Sequence, residues 1–168
     1  MKLVFVRHGN DKKGKLTLLG KKQAKMVCHE LVYEYIKKIY VSPMERTFKT
    51  AKIIQNKLGI KDIIIDGRLS EREPISLNLS RSIFDELNDN YLNPSHSNKS
   101  PEGCKEYVER IFSFLDEIKN TNKDIAVLVV GHSSMLYVIL AYIYGYNKGN
   151  QLNWARLGNC SKICFELN

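Results

Sequence analysis

Five polar residues with catalytic potential follow segments of the sequence that are typical of buried strands. Arg7 and His8 come directly after the apolar run LVFV, and Arg46 lies in the first turn of the helix predicted after the second strand. Glu71 follows the third predicted strand and His132 follows the fourth. Because ligands of parallel α/β sheets bind beyond the carboxyl ends of the strands, we expect these five side chains to share one pocket.

This combination of residue types suits a phosphoryl group. Two guanidinium groups stay charged and match phosphate oxygens with a planar fork of donors. A neutral imidazole with one free nitrogen is a nucleophile toward phosphorus, and a second imidazole, protonated beside the dianion, donates to oxygens that gain charge. A carboxyl group whose pKa is raised by burial or by nearby negative charge can protonate the leaving alkoxide. The helix after Ser42 adds backbone N–H groups, and Gly9 would let the backbone pass close to the phosphate.

None of these residues is decisive alone. The tripeptide R-H-G is common, Arg46 could be an ordinary surface residue of a helix, and Glu71 could be a loop carboxylate. Nearby charged residues could instead form exposed ion pairs: Arg68, Arg72 and Glu73. We assign no catalytic role to His29 and His96. The order of the set after successive strands favours the functional interpretation.

Strands and helices alternate along the chain, which predicts how these residues are positioned. Five apolar runs are predicted strands: KLVFV, KIYV, DIIID, AVLVV and KICFEL. This alternation indicates an α/β fold, a three-layer α/β/α sandwich with a mostly parallel central sheet, and KICFEL closes it as an antiparallel edge strand. At 168 residues the chain suits a single domain, 1–168, and a lid-like segment is expected at about 75–100, where the periodicity weakens.

The second predicted strand leads into a helix with strong start and stop signals. In SPMERTFKTAKIIQNKLG, Ser42 and Glu45 form a capping box, Pro43 takes the first helical position and Gly59 closes the end. This helix would present Arg46 in its first turn, beside the strand ends.

Three other helices complete the predicted layers. The first is capped by Thr17 and runs to about Tyr35, the third opens at Ser100 and Pro101, and the last is apolar and ends at Gly145. Helical spacing predicts the inward face of the first helix: Gly20, Ala24, Val27, Leu31 and Tyr35. It also predicts the inward face of the third: Cys104, Tyr107, Val108, Ile111, Phe112, Leu115 and Ile118.

The composition is that of an ordinary globular protein with a basic charge. The chain is 43% hydrophobic and 26% charged, and its net charge is +8. Lysines are densest in DKKGKLTLLGKKQAK, but there is no Arg-rich run, zinc-finger spacing or aromatic RNA-binding signature. A solvated basic face that attracts a phosphorylated substrate is therefore favoured over a nucleic-acid-binding protein, which stays a distant alternative.

The cysteines and apolar runs favour a cytoplasmic protein that binds no membrane. The four cysteines include no C-x-x-C pair and no metal-ligand spacing, so we expect reduced thiols and no metal: Cys28, Cys104, Cys160 and Cys164. The first apolar run is too short for a signal peptide. Residues 125–144 carry no formal charge over a bilayer-spanning length, but the polar stretch GHSS divides them. A buried strand, a turn and a buried helix are favoured over a transmembrane span.

Six blocks of the sequence resemble the histidine phosphatase superfamily, whose fold is that of the phosphoglycerate mutases. They are FVRHGN, LTLLGKKQA, SPMERTFKTA, RLSERE, VVGHSSML and NCSKICFE. The resemblance covers residues 1–73 and 101–168, and the joint pattern is specific although R-H-G alone is not.

The resemblance implies a role for each residue of the predicted pocket. His8 would be the nucleophile that forms a phosphohistidine, and Glu71 the general acid for the leaving group. The phosphoryl group would be bound by Arg7, Arg46 and His132. Asn10 and the backbone N–H of Ser133 would add contacts. Water would then attack the phosphohistidine, with Glu71 as the base, and no metal or other cofactor would be required.

The chain differs from the better-known members in two segments. NDKKGK is short where many relatives have a longer loop with a phosphate-contacting Asn, and Asn10 or a lysine would take that place. After Glu71, REPISLNLS replaces a Gly- and Trp-containing stretch, and the basic lid with which mutases hold a bisphosphate has no clear match. A short, open lid favours hydrolysis of a small phosphorylated substrate. A mutase-type transferase and a non-catalytic phosphate-binding module are the alternatives, and the oligomeric state is left open.

Overall fold

Short β-branched runs form the strands of a central sheet. The computed structural model describes residues 1–71, 104–145 and 157–167. Within them the strands are β1 (Lys2–Arg7), β2 (Asp11–Lys12), β3 (Lys15–Leu16), β4 (Ile36–Val41), β5 (Asp62–Ile65), β6 (Ala126–Gly131) and β7 (Lys162–Glu166). The sheet has the order β5-β4-β6-β1-β7, in which β7 alone runs antiparallel to its neighbour. The predicted parallel sheet with an antiparallel edge strand is confirmed.

Helices cover both faces of this sheet. They are α1 (Leu18–Leu31), α2 (Glu45–Leu58), α3 (Cys104–Thr121) and α4 (Ser133–Tyr144), with short 3-10 helices at Val32–Glu34 and Gly67–Leu69. One core lies between the sheet and α1 and α2, and the other lies between the sheet and α3 and α4. The three-layer sandwich is therefore confirmed. It follows from alternation along β1, where Leu3 and Phe5 enter one core and Val4 and Val6 the other.

Helix α1 begins as predicted and ends earlier. The Thr17 hydroxyl accepts a hydrogen bond from the Gly20 N–H, as an N-cap should. The helix ends at Leu31 and tightens into the 3-10 turn, after which Tyr35 adopts a left-handed φ of 52°. This residue is 77% exposed, so its predicted place on the inward face is wrong. The reversal of the chain into β4 removes it from the helical repeat.

Helix α2 begins later than the capping signals indicate. Its N-cap is Met44, which makes no side-chain cap, so the predicted capping box is wrong. The hydroxyl of Ser42 lies 2.9 Å from the ring of His132, and the Glu45 carboxylate pairs with Lys49 instead. Gly59 ends the helix in the left-handed conformation, as predicted.

The other predicted elements agree with the structure where it describes them. The third helix buries Tyr107, Val108, Ile111, Leu115 and Ile118. Phe112 is only partly buried, and Phe114, which the spacing did not select, is fully buried. The lid-like segment at about 75–100, the helix start at Ser100 and Pro101 and the side chain of Cys104 lie outside the described residues. Residues 125–144 form β6, a turn and α4, and in the described part of the chain no helix combines the length and apolar character that crossing a bilayer requires.

The short segment after Gly9 is a β-hairpin. Strands β2 and β3 pair antiparallel, and their turn consists of Lys13 and Gly14, both with left-handed φ values of 52° and 77°. Such a two-residue turn matches the twist of a hairpin. A Cβ atom on Gly14 would lie 3.7 Å from Arg46 Nη1, so the tip of the hairpin lies beside the predicted pocket.

Candidate active site

The topology of the sheet brings the predicted residues together at one edge. Arg7 ends β1 and His8 follows it, while Arg46 lies in the first turn of α2, beyond β4. His132 connects β6 to α4, and Glu71 follows the 3-10 helix beyond β5. The predicted convergence is therefore observed, because these strands are parallel and end at the same edge.

His8 is buried, and its two ring nitrogens face different partners. Nδ1 lies 2.8 Å from the carbonyl oxygen of Gly9, which can only accept, so Nδ1 carries the proton. Nε2 accepts a hydrogen bond from Arg46 Nε at 3.2 Å. Burial is the largest cause that lowers the pKa of His8, and the positive charges of Arg46 and Arg7 act in the same direction. At neutral pH His8 is a neutral imidazole with its lone pair on Nε2.

Arg46 connects the other groups of the site. Its Nη2 donates to the carboxylate of Glu71 and lies 3.3 Å from Nδ1 of His132. The residue is 8% exposed, although a helix residue of this type is usually a surface residue. Its guanidinium therefore offers donors to a ligand at the meeting point of both imidazoles and the carboxyl group.

His132 is fully buried, and a hydroxyl group contacts the ring nitrogen that does not face Arg46. Its Nε2 lies 2.9 Å from the hydroxyl oxygen of Ser42, and its Nδ1 faces Arg46 and lies 3.5 Å from the Glu71 carboxylate. Because an arginine can only donate, Nδ1 accepts and Nε2 carries the proton. Burial, followed by the charge of Arg46, lowers the pKa of His132 to about 2. In the ligand-free site this second imidazole is thus neutral.

Glu71 combines a charged partner with a high proton affinity. Its side chain is 30% exposed and bonds to Arg46. Burial raises the pKa of this carboxyl group and outweighs the opposite effect of Arg46. A carboxyl group that holds its proton more strongly than usual suits a general acid.

Arg7 is held at the site by the last segment of the chain. Its Nη1 donates to the carbonyl oxygen of Leu157 at 2.7 Å. Its Nε is buried and has no hydrogen-bond partner among the residues that the structure describes. An unpaired buried donor is uncommon in proteins, and here it belongs to a cation beside the nucleophile candidate.

Gly9 is required by packing against α1. A Cβ atom at this position would lie 2.6 Å from the carbonyl oxygen of Gly20, and one on Gly20 would lie 2.2 Å from that of Asn10. The sequence suggested a close approach to the phosphate as the reason for Gly9, whereas the structure shows a close approach of two backbone segments. The N–H of Gly9 donates to Thr50 Oγ1 at 3.1 Å, which fixes the turn after β1.

Asn10 and Ser133 lie at the same edge of the sheet. Polar groups of Asn10 already have hydrogen-bond partners within the protein. The side-chain oxygen of Asn10 accepts from the Thr17 hydroxyl at 2.7 Å, and its N–H donates to Gln23 at 2.8 Å. Asn10 thus joins the hairpin to α1, and its contact with a phosphate stays a prediction. Ser133 is the first residue of α4, so its backbone N–H points out of a helix N-terminus, as expected.

Three supporting residues were missed by the sequence analysis. Ser42 orients His132, Thr50 fixes Gly9, and Asn159 donates from Nδ2 to the carbonyl oxygen of His8 at 3.0 Å. Ser42 lay in the predicted capping box and Asn159 in the block NCSKICFE, so both stood in conspicuous segments. Their partners are distant in the sequence, and only the fold shows them.

Of the other charged residues and histidines considered for the site, some have structural contacts or are exposed, and the rest lie outside the described residues. Arg68 pairs with Asp66 at 2.7 Å and Glu117 at 2.9 Å, which confirms the ion-pair interpretation. His29 is exposed in the last turn of α1. The structure does not describe Arg72, Glu73 and His96.

The described ranges, 1–71, 104–145 and 157–167, contain three of the four cysteine side chains. There, Cys28, Cys160 and Cys164 are free thiols, and no group of three or more His, Cys, Asp or Glu side chains is arranged to hold a metal ion.

Comparison with known proteins agrees with the geometry. The family model of the histidine phosphatase superfamily (branch 1) matches residues 3–168. The chain is 29% identical over 145 residues to "Putative phosphoserine phosphatase 2" of Hydrogenobacter thermophilus, which covers 82% of this chain and 70% of that relative. Two solved structures share the fold. Bacillus stearothermophilus YhfR has a TM-score of 0.78 at 20% identity, covering 99% of this chain and 91% of that one. A mycobacterial glucosyl-3-phosphoglycerate phosphatase has a TM-score of 0.76 at 19% identity, covering 97% of this chain and 88% of that one.

These likenesses confirm the predicted phosphoglycerate-mutase-like fold and the predicted class of enzyme, a phosphomonoester hydrolase. Since the family model spans nearly the whole sequence, the chain belongs to the histidine phosphatase superfamily (branch 1).

Proposed function

We propose that the protein hydrolyses small phosphomonoesters through a phosphohistidine on Nε2 of His8. The observation that carries this proposal is the state of the ring: Nδ1–H donates to Gly9, and Nε2 keeps its lone pair toward the guanidinium of Arg46. A neutral, oriented imidazole next to a cation can attack a phosphorus atom whose oxygens that cation binds.

In the first step the substrate's phosphoryl group is bound by Arg7, Arg46 and His132. Asn10 and the backbone N–H of Ser133 add contacts. Nε2 of His8 forms a bond to phosphorus while the ester P–O bond breaks. The leaving oxygen takes its proton from Glu71, whose raised pKa keeps that proton available. The dianion raises the proton affinity of His132, so this ring becomes a donor to the phosphoryl oxygens.

In the second step a water molecule attacks the phosphohistidine. Glu71, now a carboxylate, accepts the proton from water, the Nε2–P bond breaks and inorganic phosphate leaves. The positive charge that stabilises both steps comes from two arginines and the second imidazole, so the proposal needs no metal ion.

The proposed substrates are small phosphorylated metabolites. Two of the relatives described above are named for phosphoserine and glucosyl-3-phosphoglycerate, both small phosphomonoesters. We further propose that the protein acts as a single domain in the cytoplasm and binds neither nucleic acid nor membrane. A panel of metabolites compared by kcat/KM would identify the substrate, because discrimination lies in that ratio.

Replacing His8 tests the proposal directly. We expect His8→Ala to lower the turnover of an aryl phosphate, measured in EDTA, by at least about a thousandfold. His29→Ala, which changes an exposed histidine of α1, is the matched control and should leave turnover unchanged. Rapid denaturation in alkali should trap a phosphorylated histidine in the wild type and none in His8→Ala.

Equal turnover by His8→Ala and the wild type would refute the role of His8. Tight binding of inorganic phosphate without turnover or a covalent adduct would instead identify a phosphate-binding module.

A further inference from the structure

Asp11 places a carboxylate near Nδ1 of the His8 ring. Its Oδ1 lies 3.8 Å from Nδ1 of His8, the nitrogen that faces away from Arg46. Its Oδ2 accepts a hydrogen bond from the N–H of Gly14 at 3.1 Å, which fixes the orientation of the carboxylate. Neither the predicted pocket nor the proposed mechanism uses this residue.

We propose that Asp11 is a positioning residue whose negative charge stabilises the cationic ring that His8 becomes when Nε2 carries the phosphoryl group. The inference rests on the proposed function, because it concerns an intermediate of that reaction. Asp11 acts through His8 and does not touch the substrate.

The charge of the ring changes during the proposed reaction. As the Nε2–P bond forms and the ester P–O bond breaks, Nδ1 keeps its proton and the imidazole gains a positive charge. When water breaks the Nε2–P bond, the ring becomes neutral again. Asp11 exchanges no proton in either step, since Nδ1–H already donates to the carbonyl oxygen of Gly9. Its contribution is electrostatic.

The cations around His8 disfavour a positive charge on its ring, so a nearby negative charge would stabilise it. Arg7 on β1 and Arg46 on α2 both oppose a positive ring, and His132 is neutral in the ligand-free site. Glu71 is bonded to Arg46 on the Nε2 side, where it serves the leaving group. Asp11 raises the proton affinity of His8, and its carboxylate lies nearest to Nδ1, the ring nitrogen that does not carry the phosphoryl group in the proposed reaction.

The hairpin holds Asp11 in place before any ligand binds. Asp11 pairs across the strands with Leu16, which is 8% exposed. The turn residues Lys13 and Gly14 have left-handed conformations that close the hairpin tightly. A carboxylate fixed in this way needs no rearrangement to meet the charge that develops on the ring.

A neutral variant of nearly the same shape tests the inference. Asp11→Asn keeps an acceptor for the Gly14 N–H and removes the charge. We expect kcat/KM to fall about tenfold, the change that corresponds to roughly one pKa unit of lost interaction. Asp62→Asn, which removes an exposed aspartate from β5, is the matched control for net charge and should behave like the wild type.

The pH profile of kcat/KM distinguishes an electrostatic role from a merely structural one. The reaction needs His8 neutral and Glu71 protonated, and the charge of Asp11 raises the pKa of both. Its removal lowers both pKa values, so the acid limb and the alkaline limb should both move to lower pH. The ionisation of the substrate is the same for both proteins and cancels in the comparison.

Two outcomes would overturn the inference while leaving the proposed function intact. One is a profile of Asp11→Asn that superimposes on the wild type while His8→Ala is inactive. The other is a lower rate without a shifted profile, which indicates a structural role. If Asp11→Asn does not fold, Asp11→Ser supplies a neutral acceptor of smaller size and is judged by the same profile. Full activity of His8→Ala would instead refute the proposed function itself.

Discussion

Two carboxylates of this protein, one buried and one half-buried, lie beside cations and behave in opposite ways. Glu34, in the 3-10 helix after α1, is 9% exposed and bonds to the ammonium groups of Lys2 and Lys162. These hydrogen bonds lower its pKa to about 2. Glu71 bonds to Arg46, yet burial raises its pKa. A neighbouring cation therefore does not decide by itself which protonation state a carboxyl group prefers.

The difference lies in how the positive charge is shared. Glu34 forms ion pairs with two lysines, one at each carboxylate oxygen. Glu71 forms an ion pair with one guanidinium group, that of Arg46, which also faces the rings of His8 and His132. With less compensation, the cost of burying the charge dominates. The first arrangement joins α1 to the sheet, and the second leaves a proton available for chemistry.

The largest effect that separates the two carboxylates is expected for Glu71→Gln. Gln cannot donate an acidic proton, so hydrolysis of an alkyl phosphate should fall by about a hundredfold or more. An aryl phosphate, whose leaving group needs little protonation, should be affected much less. The measurement is kcat/KM for both esters, which reports the steps up to formation of the phosphohistidine and not its hydrolysis, with circular dichroism to show that the fold is retained.

The substitution Glu34→Gln is the counterpart of this variant and should leave both kcat/KM values unchanged. A loss of activity similar to that of Glu71→Gln would abolish the distinction between the two carboxylates.

Stability should show the reverse pattern. The lowered pKa of Glu34 means that its ion pairs stabilise the fold above pH 4.5 and lose this effect as the pH falls toward about 2. Because Lys2 is 38% exposed and partly screened, we expect Glu34→Gln to lower the free energy of unfolding by between about 1 and 2 kcal/mol at neutral pH.

Urea unfolding at pH 7 and pH 3 measures this contribution. The difference between wild type and Glu34→Gln should shrink at the lower pH. Glu45→Gln, which removes an exposed ion pair with Lys49, is the control and should change stability less. An equal loss in both variants would show that the burial of Glu34 has no influence.

The smallest effect is expected for Ser42→Ala, which changes a neutral contact of the site. Without the hydroxyl, Nε2 of His132 loses its partner at 2.9 Å and the ring is less well oriented. We expect kcat to fall by about threefold to tenfold, since the other contacts of the ring remain. Ser134→Ala removes a buried hydroxyl that bonds to Tyr107 instead, and it should preserve kcat. Equal rates in all three proteins would mean that Arg46 alone orients His132.

Much of the fold could be predicted from local patterns. Apolar runs of four to six residues marked the sheet strands, and cap residues such as Thr17 and Gly59 marked helix ends, because these signals act over a few residues. The errors occurred where a local signal competed with a distant contact. Ser42 has the sequence position of a helix cap, but its hydroxyl contacts His132, ninety positions away, at 2.9 Å and the N–H of Met44 at 3.4 Å, and Glu45 pairs with Lys49.

The sequence predicted which residues form the site, but not the distances between them or their protonation states. The position of each group at the end of a parallel strand is a property of the sequence pattern, so the convergence of Arg7, His8, Arg46 and His132 was foreseeable. The neutral state of both imidazoles was not, because it depends on burial and on distances to Arg46. The approach of Asp11 to Nδ1 of His8 depends on the hairpin turn.

The sequence by itself determined the order of strands and helices, the chemical identity of the pocket and the family to which the chain belongs. These follow from side-chain type and periodicity, which are local properties. Only the tertiary structure decided which carboxylate is an ion pair and which keeps its proton. Glu34 and Glu71 are the same residue type with cations nearby, and what separates them is the number of cations that the folded chain brings to each carboxylate.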